Sequence, residues 1–249
     1  MTGVAAGSGS YDPRFMREAI APIQNKLGQF LLNPVVRNIL GQVRYKISFR
    51  SIMDNQRIFI ANLSKGNIGH DKANLLGSLV TTQFQLAAMA RANQPEKDGA
   101  DFYLFIGDFH NFTTDAFATI LAEARKYRLC LTPSHQYIDQ LPLPLQQAVF
   151  GNIGSLLAFR VGYSDAQVLE NEFGKTMTAK QFVELDRHQV LAKLLEEGTH
   201  REPFRAATIP PVKNWVGHPQ KFISRSRERF GSNRPVIETK LNSWLRARF

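Results

Sequence analysis

Apolar runs alternate with helix-length amphipathic stretches through the middle of the chain. "RIFIANL" (Arg57–Leu63) reads as a short strand. A turn, "SKGNIG", follows, and then a helix from about Asp71 to Arg91. "DFYLFIGDF" (Asp101–Phe109) is the strongest strand, with five apolar residues in a row from Phe102. Thr113, Thr114 and Asp115 cap a helix that ends near Tyr127. "LCLTPSH" (Leu129–His135) is a buried strand, a Pro-bounded helix runs through about Phe150, and "SLLAFRVG" (Ser155–Gly162) is a fourth strand. Continuous apolar strands between helices of ten or more residues predict parallel β covered on both faces. The expected class is therefore α/β with right-handed crossovers, the segments at 102–106, 129–132 and 156–161 being buried parallel neighbours.

The flanks read differently. Residues 12–41 are helical and punctuated, with Asp12-Pro13 and Asn33-Pro34 as starts and Gly41 as a stop. Beyond Gly162 come short helices at Asp165–Phe173 and Thr178–Leu185 and weaker strands at Gln189–Leu195 and Phe204–Ile209. Pro210-Pro211 marks a boundary before two basic amphipathic helices, near Pro219–Phe230 and Pro235–Arg248.

Charge sharpens this division. The net charge is +10 over 249 residues. Residues 1–50 carry +5, residues 51–200 carry −3 and residues 201–249 carry +8. A polyanion contacted by the basic ends is the expected partner. Cys130 is the single cysteine, so no intramolecular disulfide or zinc set forms. No stretch reaches about 18 unbroken apolar residues, so no membrane-spanning helix is expected. "MTGVAAGSGS" lacks the pattern of a secretory signal, and the expected compartment is cytoplasmic.

Ligands of parallel sheets bind at the carboxyl ends of strands. Those ends here carry Asn62, Ser64 and Lys65; Asp108, His110 and Asn111; and Ser134, His135 and Gln136. A carboxylate ending an apolar strand suits phosphate chemistry, holding magnesium or orienting water, although strands also end in polar residues for solvation alone. The phosphate loop G-x-x-x-x-G-K-[ST] is met only at Gly174-Lys175-Thr176, with Leu169 at the first glycine position and a helix before it. A working loop needs a strand there, so the match is rejected. The six histidines have no metal-ligand spacing, and no G-x-S-x-G elbow occurs.

Long blocks of the sequence resemble one family. "MDNQRIFIANLSKGNIGHDKANLLGSLV", "FYLFIGDFHNFTTDAFATILAEARKYRLCLTPSHQYIDQL", "VFGNIGSLLAFRVGYSDAQVLENEFG" and "PFRAATIPP" look like the C-terminal half of the type IV secretion coupling-protein ATPases. These are conjugative DNA-transfer proteins of the TraD/TraG kind, related to the HerA and FtsK translocases. The resemblance implies a partial RecA-like P-loop NTPase fold that lacks the Walker A half. It divides the chain into the end of an all-helical insertion (1–45), the second half of the ATPase sheet (46–210) and a basic helical tail (211–249).

What the resemblance implies for the site is specific. The family's Walker B block reads like "FYLYVDEFQNFAT", and here it is "FYLFIGDFHNFTT". Gly107 stands at the metal-linked aspartate, Asp108 at the catalytic glutamate and His110 at a glutamine. Gln136 matches the sensor. Arg125 and Arg128, and less directly Arg160, are candidates to reach a neighbouring subunit's phosphates; an exposed helix face or solvated strand end is the plain alternative. The family uses ATP and magnesium, but neither is expected for this chain alone.

Implied partners are DNA, a separate Walker A half or full-length members in a hexameric ring, and components of the secretion apparatus and relaxosome at the inner face of the membrane. Lys221, Arg225, Arg227, Arg229, Arg234, Lys240, Arg246 and Arg248, interleaved with Phe222, Phe230, Trp244 and Phe249, are the candidate nucleic-acid contacts. Packing of the two tail helices on the protein is the alternative there. Three functions remain open: part of a DNA translocase, a non-catalytic binding module for DNA or a partner, or a truncated remnant of such an ATPase.

Overall fold

The computed structural model describes residues 20–22, 28, 33–42, 46–92, 99–113, 116–211 and 217–246. Its described residues fall into two compact units. One takes residues from 48–63 and 73–219; the other takes residues from 1–47, 64–72 and 220–249.

The larger unit holds the α/β architecture read from the sequence. Strand β1 (Phe102–Ile106) pairs in parallel with β2 (Leu129–Pro133), in register from Phe102 against Leu129 to Ile106 against Pro133. Helix α5 (Ala116–Glu123) and a 3-10 turn (Ala124–Tyr127) make the crossover between them. The alternate residues Phe102 and Ile106 point into the core, where Phe102 stacks at 5.1 Å on the fully buried Phe84 of α4 (His70–Met89). Phe84 also meets Phe49 of α2 (Phe49–Asp54) and Phe59 edge-on, at 4.8 and 5.4 Å. Arg91, just past α4, is buried: it pairs with Asp54 at 2.9 Å and donates to the carbonyls of Ala100 and Tyr127. One guanidinium thus ties α2, α4, the start of β1 and the crossover together.

Three expectations about strands change. Arg57–Leu63 forms no strand and pairs in no ladder among the described residues. Phe59 packs inward, whereas Ile58 and Ile60 are 90% and 85% exposed. Second, the apolar run at 156–161 is not a neighbour of β2. It contributes only β3 (Leu156–Ala158), which runs antiparallel to β4 (Gln189–Lys193); β4 in turn pairs antiparallel with β7 (Phe204–Ala207). The reason is pairing: β4 supplies the ladder for β3, and no described strand bridges β3 to β2. Third, Tyr103 and Phe105 of β1 are 62% and 73% exposed, so the second face of that strand is open. A small hairpin of β5 (Leu195–Glu196) and β6 (Thr199–His200) follows β4. Helices α6 (Leu143–Asn152), α7 (Tyr163–Glu172) and α8 (Ala179–Val183) complete this unit, with Phe173 and Phe182 in edge-on contact at 5.1 Å in its second apolar cluster.

In the smaller unit, α1 (Pro34–Leu40) starts as predicted. The Asn33 side-chain oxygen accepts from the N–H groups of Val35 and Val36, and Gly41 closes the helix. Helix α10 (Arg234–Arg246) meets α1: Asn38 donates to Glu238, and Arg234 pairs with the same carboxylate at 2.7 Å. Ile237 is buried. The short helix α3 (Lys65–Ile68) and helix α9 (Pro219–Phe230) also belong to this unit, apart from the first residue of α9.

Candidate nucleotide-type site and basic tail

The carboxyl ends of β1 and β2 are locked together. Ser134 N–H donates to the Ile106 carbonyl, and Phe109 N–H donates to the Ser134 carbonyl, both at 2.9 Å. Between them the chain turns sharply, with Asp108 in the left-handed region at φ 47°. Asp tolerates that conformation better than most residues. Its carbonyl accepts from Asn111 N–H and from the Asn111 side-chain amide, at 3.0 and 2.9 Å. The Asp108 carboxylate is left facing solvent. Gln136, past the end of β2, is also exposed; its N–H donates to the Gln140 side-chain oxygen at 3.0 Å. The two adjacent strand ends therefore present Asp108 and Gln136, the positions read from the sequence.

Beneath them lies a polar cluster that the sequence did not reveal as one. The Gln140 amide nitrogen lies 3.4 Å from His110 Nε2. The His135 ring packs 5.8 Å from the buried Phe109, and its Nδ1 is buried without a hydrogen-bond partner. Burial, with His110 nearby, holds the His135 imidazole below its ordinary pKa. Asp165, in the first turn of α7, is only 6% exposed and accepts from Ile138 N–H at 3.3 Å. Burial pushes its carboxyl above the ordinary range. Asp165 was legible only as an acidic residue starting a helix, because nothing local to "YSDAQ" signals its burial.

Gly107 carries no carboxylate. Among the described residues no group of three or more His, Cys, Asp or Glu has metal-binding geometry. Gly174 and Lys175 both have positive φ in a turn after α7, which confirms that no strand–loop–helix surrounds them.

The arginines lie elsewhere. Arg125 and Arg128 precede β2, at the end opposite Gln136. Five strand residues separate the ends by roughly 16 Å, so neither arginine joins Asp108 within one molecule. Arg128 pairs with Asp101 at 3.0 Å, and Arg125 is exposed. Arg160 is exposed two residues past β3.

The tail cations separate into two groups. Helix α9 has no buried residue. Lys221, Arg225 and Arg229 recur every fourth residue and form one exposed row. Arg227 is on another face, and Arg229 lies over the Phe230 ring at 5.3 Å. On α10, Arg234 is engaged by Glu238, while Lys240 and Arg246 are exposed. Arg248 lies outside the described residues, as do Asp12-Pro13, Thr114 and Asp115. No described helix is long and apolar enough to cross a membrane.

No protein-family model matches this sequence, and no curated protein matches it. Solved structures do. One is the bacterial conjugative coupling protein TrwBdeltaN70 in an unbound form: TM-score 0.44, 13% identity, covering 55% of this chain and 38% of that one. Another is the genome-packaging NTPase B204 of Sulfolobus turreted icosahedral virus 2 in complex with AMPPCP: TM-score 0.37, 14% identity, covering 62% of this chain and 69% of that one. The same NTPase in complex with ATP-gammaS gives TM-score 0.38 at 14% identity.

Proposed function

We propose that this chain is a DNA-binding part of a conjugative-type DNA translocase, built on the Walker B half of a RecA-like NTPase domain and not catalytic by itself. The observation that carries the DNA reading is α9. Helix α9 has no buried residue, and its row of Lys221, Arg225 and Arg229 is spaced about 6 Å apart along the axis. Such a row suits sequence-independent contact with successive phosphates. Helix α10 is the anchored partner, since its Ile237 is buried and its Glu238 accepts from Asn38 of α1. The parallel pair ending in Asp108 and Gln136 supports descent from a nucleotide site. Gly107 and the missing phosphate loop motif argue against turnover, because phosphoryl transfer depends on positioning and charge stabilisation of the phosphates.

The test is a titration of labelled single- and double-stranded DNA at two salt concentrations, with the full chain and with a variant lacking residues 212–249. Binding at low salt that falls steeply with salt and is lost with the tail is the expected result. No binding at low salt, or binding unchanged by the deletion, overturns the reading.

A further inference from the structure

The turn that follows β2 is held by side chains from two other elements. Gln140 directs its amide oxygen back onto its own segment, where it accepts from Gln136 N–H at 3.0 Å and from Tyr137 N–H at 3.3 Å. Those two bonds fix the amide, so its NH2 group is the one that faces His110 Nε2 at 3.4 Å. An NH2 group donates, and that ring nitrogen therefore carries no proton. From the other side, the buried Asp165 in the first turn of α7 accepts from Ile138 N–H at 3.3 Å. The loop after β1 and the start of α7 thus hold the turn 136–140 between them.

His135 stands at the root of this turn. Ser134 before it is bonded to Ile106 and Phe109, and Gln136 after it is bonded to Gln140. The His135 ring lies beside Phe109, with Nδ1 buried and no hydrogen-bond partner for it among the described residues. An imidazolium carries N–H at both ring nitrogens, so protonation sets a charged donor where no acceptor waits. Two titratable groups act on the ring: His110 from the loop after β1 opposes the proton, and Asp165 from α7 favours it. Asp139, within the turn, acts on Asp165, and Asp108 is turned to solvent. The residue as a whole is only half-buried, so a charged ring gains water by turning outward. We propose that His135 is a proton-operated release for the turn 135–140: the neutral ring keeps Gln136 seated against His110 and Asp165, and the protonated ring swings out and frees the turn while β1 and β2 stay paired. The device is independent of the DNA reading.

The experiment is hydrogen exchange of the full chain, read by mass spectrometry at a series of pH values from 7.5 to 5.0 and corrected for the intrinsic exchange rate. Protection of residues 135–141 should fall at least tenfold, with a midpoint below 6.5, while residues 102–106 keep theirs. His135→Gln should abolish the fall. His110→Gln keeps a neutral acceptor for Gln140 and removes the opposing charge, so it should move the midpoint up. Asp165→Asn keeps an acceptor for Ile138 N–H and removes the favouring charge, so it should move the midpoint down. A side chain that only fills space would produce neither shift. No fall in protection, a fall shared equally by 102–106, or a fall that survives in His135→Gln overturns the proposal. A fall that vanishes only with Asp165→Asn assigns the proton to that carboxyl and also overturns it. Where His135→Gln does not fold, a midpoint unmoved by the other two substitutions overturns it instead. None of these readouts involves the tail helices, so the DNA reading stands or falls separately.

Discussion

The N–H of Phe109 donates to the carbonyl of Ser134 at 2.9 Å, one step beyond the ends of two parallel strands. This bond sets Asp108 beside the segment that carries Gln136, and it is made by backbone alone. The relative placement of the two strand ends therefore does not depend on the side chains they carry.

The first prediction concerns that chemistry. Purified protein, with or without DNA, should release no phosphate from ATP in a manner that depends on Asp108, with Asp108→Ala as the control. Gly107→Asp should leave stability within about 0.5 kcal/mol, since a Cβ at Gly107 meets nothing within 4 Å. The double change Gly107→Asp, Asp108→Glu should still not hydrolyse ATP alone, because the phosphates remain unheld. Turnover in the unmodified chain that disappears with Asp108→Ala would reveal a phosphate site.

Gly77 supplies the second. It lies inside α4, where alanine would ordinarily gain about 1 kcal/mol of helix propensity. The Phe112 ring presses against it, and a Cβ would lie 2.2 Å from Phe112 Cδ1. The ring is itself buried, so the overlap decides the sign. Gly77→Ala should destabilise by about 1–3 kcal/mol in chemical denaturation, and Phe112→Leu should restore part of the loss. A stabilised Gly77→Ala would show that the ring is free to move.

His135 predicts a pH dependence. Its folded pKa lies below the ordinary 6.5, so the unfolded chain binds the proton more readily. The stability contribution is full above pH 6.5 and is lost as pH falls toward the folded value. Asp165 has the opposite sign: its raised carboxyl pKa favours the folded state at low pH, and that contribution fades as pH rises above 3.8. Unfolding free energies at pH 7.0 and pH 5.5 should show a smaller drop for His135→Gln than for the unsubstituted chain. Equal drops would mean that His135 takes up its proton in the folded protein as readily as in the unfolded one.

Much of this was legible in the sequence where the signal is local. The uninterrupted run Phe102–Ile106, the Asn33-Pro34 cap and the i,i+4 cations of α9 each report on their own neighbourhood, and each is where the pattern put it. Pairing is not local. The apolar run at 156–161 reads like that at 129–133, and only the position of β4 makes its leading residues an antiparallel edge. Arg57–Leu63 has strand composition but no ladder partner among the described residues. The cluster of His110, His135, Gln140 and Asp165 joins residues up to 55 positions apart, and no single-segment pattern marks it.

The measurement that tests the central claim most directly is the salt dependence of duplex binding by the full chain and by the triple variant Lys221→Glu, Arg225→Glu, Arg229→Glu. All three residues are exposed, and none lies in a packed core, so the fold should persist with unchanged circular dichroism. Each phosphate contact contributes about 0.9 to the slope of log K against log salt. The account predicts that the variant's slope is shallower by roughly 2.7 and its low-salt affinity is greatly reduced. An unchanged slope and affinity in the variant would contradict the claim that the α9 row is the DNA-contacting surface.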